Sequence, residues 1–82
     1  MGNKSKIAEV LFQLGKIHES KKEIILALQS YIKAFCIFKE LNSPYSQMAL
    51  KHISELKGKM EDEQFKNVCK ELGQAPTIID MD

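Results

Sequence analysis

Apolar residues recur every three or four positions through most of this chain, the spacing that gathers side chains on one face of an α-helix. The first run, Ile7, Val10, Leu11, Leu14, Ile17 and His18, predicts a helix from about Lys4 to Glu19 with this stripe turned inward. Ser20-Lys21-Lys22-Glu23 has the spacing of a capping box, so a second helix is expected to start at about Lys21 and run to Leu41. Its stripe is Ile24, Ile25, Ala27, Leu28, Tyr31, Ala34, Phe35, Phe38 and Leu41. Asn42-Ser43-Pro44 interrupts the rhythm. Ser43 suits an N-cap and Pro44 the first helical position, where a missing N–H has no intrahelical partner to lose. A third helix is predicted over about Pro44 to Lys57, with Tyr45, Met48, Ala49, His52, Ile53 and Leu56 facing inward.

Gly58 and the acidic run Glu61-Asp62-Glu63 mark another turn, with Asp62 the candidate cap. A short fourth helix from Glu63 to Leu72 carries Phe65, Val68, Cys69 and Leu72, and Gly73 is a natural stop, with Pro76 beyond it. No strand alternation competes with these patterns. The expected fold is all-α: four helices forming two antiparallel hairpins over residues 1–73. Residues 74–82 lack periodicity and are expected to form a disordered tail. Their short apolar group, Ile78, Ile79 and Met81, offers a second reading in which the tail docks on the domain or on another copy.

Small residues sit where the first two helices must cross. Leu11, Leu14 and Gly15 are followed by His18, then by Ala27, Tyr31 and Ala34. Gly15 and Ala27 lack bulk, so the backbones can approach, and Leu14 and Tyr31 are expected to fill the space around the crossing. This succession resembles the signature of the tetratricopeptide repeat (TPR) family. The resemblance spans about residues 6 to 72, with one clear repeat over about residues 8 to 41. It departs from the family pattern at Leu11, where Trp is usual, at His18 in place of Tyr, and at Lys39 in place of Pro. A second unit, offset by about 42 residues against the usual 34, is degenerate. Leu11 maps to Ile53, Leu14 to Leu56, His18 to Met60 and Ala27 to Cys69, whereas Gly15 maps to Lys57, one place from Gly58. Two units are fewer than the three such arrays usually need. A longer array, self-pairing or the long second helix would each supply the missing core.

The resemblance implies a scaffold that holds a partner on the concave face lined by the first helix of each unit. On this chain that face carries Glu9, Phe12, Lys16, Glu19 and Ser20, then Lys51, Ser54 and Gly58. Phe12 lies off the apolar stripe, which makes it either an aromatic anchor for a partner or a contact with the neighbouring unit. The family's cluster of basic residues for a terminal carboxylate is not expected in full, because Phe12 occupies the first basic place and the chain has no Arg.

Composition narrows the function further. The net charge is +1 and all twelve basic residues are Lys. Arg is the residue that reads phosphates and base edges bidentately, so nucleic-acid recognition is not expected. Nothing approaches the ~20 consecutive apolar residues of a membrane span. Cys36 and Cys69 read as buried free thiols, which suits a reducing, cytoplasmic setting better than a disulfide framework. His18 and His52 each stand alone, without ligands at metal-site spacing. There is no glycine-rich phosphate loop. No cofactor, metal or catalysis is expected. The expected function is a non-catalytic adaptor that binds a protein or peptide. The alternative is a self-associating homo-oligomer, for which Ile32, Ile37 and Phe38 on the second helix would be the exposed contacts.

Overall fold

The computed structural model of the chain describes residues 3–73. Four α-helices follow one another: α1 (Lys4–Ser20), α2 (Ile24–Glu40), α3 (Tyr45–Lys57) and α4 (Asp62–Glu71). The architecture is all-α, with α1 and α2 packed as a hairpin. The expected tail with Ile78, Ile79 and Met81, like Pro76, lies outside the described residues.

The most apolar helix, α2, is the centre of the molecule, and the other three pack chiefly on it. Its Ala27, Leu28, Tyr31, Ile32, Ala34, Phe35 and Phe38 are buried. Burial therefore runs around most of the helix rather than along one stripe. Ile32 and Phe38, expected on an exposed contact face, are interior, and Ile37 is half-buried. Ala49, Ile53 and Leu56 of α3 and Phe65, Val68 and Cys69 of α4 complete the core, as their spacing predicts.

The first helix departs from its predicted orientation. Ala8, Phe12 and Gly15 face α2, whereas Ile7, Val10, Leu14 and Ile17 are 51%, 52%, 40% and 50% exposed. The physical reason is close approach. Ala8 and Gly15 let α1 lie against α2, and branched aliphatics at those positions would hold the helices apart. Leu14 thus does not fill the crossing, and only Leu11 of the predicted stripe is packed against the core.

The turns also differ from expectation. Ser20 ends α1 instead of capping α2, and no capping box forms with Glu23. The chain leaves α1 through a Schellman motif: the Glu23 amide donates to the His18 carbonyl at 2.8 Å and the Lys22 amide to Glu19 at 3.0 Å. Lys22 takes the left-handed position, φ 64°. The α2 terminus repeats the motif with Asn42 at φ 55°, the Ser43 amide reaching Phe38 at 2.8 Å. Pro44, rather than Ser43, is the N-cap of α3, and the Ser43 hydroxyl, one residue further out, accepts the Tyr45 amide at 3.2 Å. Glu61, not Asp62, is the N-cap of α4, and the Gln64 side chain accepts the Glu61 amide at 3.4 Å. Gly73 stops α4 in the left-handed conformation, φ 74°.

Candidate interaction groove

Three rings from three helices form the keystone of the site. Phe12 of α1 lies 5.4 Å from the Tyr31 ring of α2 and 5.1 Å, edge to face, from His52 of α3. His52 in turn stacks on Tyr31 at 5.1 Å. Gly15 makes this possible, since a Cβ there would stand 2.7 Å from Tyr31 Cε1. The phenol of Tyr31 donates to Glu19 at 2.9 Å. Burial, reinforced by that carboxylate, pushes Tyr31 well above its ordinary pKa of 10.0. The close approach expected at Gly15 is made against Tyr31, and Ala27 and Ala34 are fully buried on α2.

Above these rings, α1 and α3 leave a groove of about 430 Å³ open to solvent. Phe12, Phe38, Tyr45, Met48 and Val10 give it an apolar lining, and Lys6, Glu9, Gln13 and Lys16 supply the polar positions. Tyr45 leans on Phe38 at 5.6 Å, and the Lys16 ammonium lies 5.6 Å from the centre of the Phe12 ring. The apolar surface is thus walled by aromatic side chains that neighbouring helices already hold in place, with charge at its margin.

Of the residues assigned to the concave face, Glu9, Phe12 and Lys16 do line this groove. Phe12 is only 8% exposed, so it serves as part of the wall and as the contact with α3 rather than as a projecting anchor. Glu19 is taken up by Tyr31 and by Lys59, 3.8 Å away. Lys51 and Ser54 are exposed on α3, outside the groove lining, as are Ser20 and Gly58. Sequence reasoning missed Val10, Phe38, Tyr45 and Met48. Their signal was present, since each belongs to a predicted core stripe: Phe38 is buried on α2 and forms the floor, whereas Val10, Tyr45 and Met48 are left half-exposed on α1 and α3.

The other groups singled out by chemistry are held structurally. His18 Nδ1 lies 2.7 Å from Glu23 Oε1. Cys36 is half-buried and Cys69 buried, both free thiols. Burial raises the Cys36 pKa, with Lys39 opposing the shift. A reactive thiolate is disfavoured by such surroundings. Among the described residues, no three His, Cys, Asp or Glu side chains converge as a metal site would require, and no helix is long and apolar enough to cross a membrane. Comparison with protein-family profiles, curated proteins and solved structures returns no match to this chain.

Proposed function

We propose that this chain is a non-catalytic, TPR-like interaction module that takes a partner peptide or helix in the groove between α1 and α3. One observation carries the reading: an open apolar groove walled by Phe12, Phe38, Tyr45 and Met48 on a framework that packing has already fixed. Preformed walls spare a ligand much of the cost of ordering its site. Two lysines against one glutamate at the margin, Lys6 and Lys16 against Glu9, favour a segment with bulky apolar side chains flanked by acids. The spacing of Gly15, Ala27, Tyr31 and Ala34 supports the TPR-like assignment, and two free thiols accord with a cytoplasmic setting.

The test is selection of a random peptide library on the 82-residue chain, followed by titration of the selected peptides with NMR detection. Peptides should emerge with paired apolar anchors and shift the resonances of Val10, Tyr45 and Met48. Met48→Glu, at an exposed position, should weaken binding at least about tenfold by placing a charge against the apolar anchor, with the helical circular dichroism unchanged. Peptides that bind elsewhere, or that ignore Met48→Glu, would overturn the assignment.

A further inference from the structure

The apolar residues that α1 turns away from the core form a second surface, which meets the groove at Val10. Ile7, Val10, Leu14 and Ile17 follow one another at spacings of three, four and three, the interval of a coiled-coil seam. All four are 40–52% exposed. Among the described residues, none buries these four side chains.

The seam is also complementary to itself. Reversed about position 12, Ile7 falls opposite Ile17 and Val10 opposite Leu14, so two antiparallel copies would meet in layers of matched size. The flanks fit the same operation. Gln13 falls near its own symmetry mate and Lys6 near Ser20, two contacts without like charges. Lys4 falls near His18, and each is already held by a carboxylate, Lys4 by Glu40 at 3.1 Å and His18 by Glu23 at 2.7 Å. Asn3 and Lys21 close the seam at its two ends. From these features we propose that α1 is the interface of a two-fold symmetric homodimer, with α1 pairing antiparallel to α1 of a second copy through Ile7, Val10, Leu14 and Ile17. A seam of four residues covers a few hundred Å², below the ~800 Å² per partner of a standard interface, so the dimer is weak and reversible. It borders the groove between α1 and α3, with which it shares Val10, but uses no residue of α3.

Sedimentation equilibrium tests the proposal over about 10 µM to about 1 mM, the range suited to an interface this small. The mass should rise from 9.4 kDa towards twice that value. Leu14→Lys should hold the chain monomeric throughout with unchanged helical content, and Met48→Glu should leave the dimer intact. Orientation is read by cross-linking in a Cys36→Ser background. An equimolar mixture of Ile7→Cys and Ile17→Cys chains should yield the mixed disulfide on mild oxidation. Either variant alone should not, because its two thiols lie about 15 Å apart along the paired helices, at ~1.5 Å per residue. A monomer at every concentration, a dimer indifferent to Leu14→Lys, or efficient cross-linking of Ile7→Cys with itself would each overturn the proposal. The first of these outcomes would leave the face to a helix of another protein.

Discussion

At the scale of single residues, the contact between Gly15 and Tyr31 decides how closely α1 can approach α2. The Tyr31 ring cannot yield easily, because His52 stacks on one side and Glu19 holds its hydroxyl. Gly15→Ala should therefore destabilise the fold despite the better helix propensity of alanine. Overpacking of about 1–3 kcal/mol outweighs a propensity gain of about 1 kcal/mol, and urea unfolding followed by circular dichroism would measure the difference. This contact was legible in the sequence, since a glycine inside a helical stripe followed by a tyrosine one helix later has few other uses. The role of Phe12 was legible in part: its place off the apolar stripe left a contact with the neighbouring unit as one of two readings, and His52 of α3 is that contact, but spacing within α1 could not name the partner ring. Tyr31 also confers a pH dependence. In the unfolded chain its phenol ionises near the ordinary 10.0, whereas in the fold it stays neutral to higher pH. Its contribution is therefore fully present below pH 10 and is lost above it, at about 1.4 kcal/mol per pH unit. Tyr31→Phe should remove this loss, so the stability difference between wild type and variant should narrow from about pH 9 to about pH 11. A difference that stays constant would contradict the assigned environment.

At the scale of the element, the helices were predictable in number and nearly so in extent, because Asn42-Ser43-Pro44 and Gly58 interrupt a strong periodicity. The orientation of α1 was not predictable from that periodicity. The helix has two apolar faces, one with large aliphatic residues and one with Ala8, Phe12 and Gly15. Ranking by hydrophobicity selects the wrong face, since the backbone approach at the crossing favours small side chains over apolar ones. The first turn misled for a related reason: Ser20 and Glu23 have capping-box spacing, but α1 absorbs Ser20 and closes with a Schellman motif instead. That closure forces Lys22 to φ 64°, where a Cβ is unfavourable. Lys22→Gly should accordingly stabilise the protein by about 1 kcal/mol, seen as a higher urea midpoint with an unchanged slope. A lower midpoint would mean that the lysine side chain contributes more than its backbone strain costs.

At the scale of the whole molecule, the two surfaces of α1 lead in different directions. One faces the groove and, under the reading proposed above, a partner; the other bears the seam. The two surfaces adjoin along α1, because Val10 belongs to both and Lys6 and Gln13 line the groove beside the seam, so Met48→Glu addresses the groove and Leu14→Lys the seam. The groove was only partly legible in advance. Glu9, Phe12 and Lys16 follow from the placement of α1, but Tyr45 and Met48 enter it only because α2 is too narrow to bury the whole apolar face of α3. The central position of α2 has a further consequence for the order in which the structure can come apart. Because α4 rests chiefly on α2, it can detach while α1 and α3 keep their seats. α2 has no such freedom, since freeing it dissolves the packing of every other helix at once. The molecule thus divides into a cooperative unit of three helices and a fourth that can open below the global unfolding free energy.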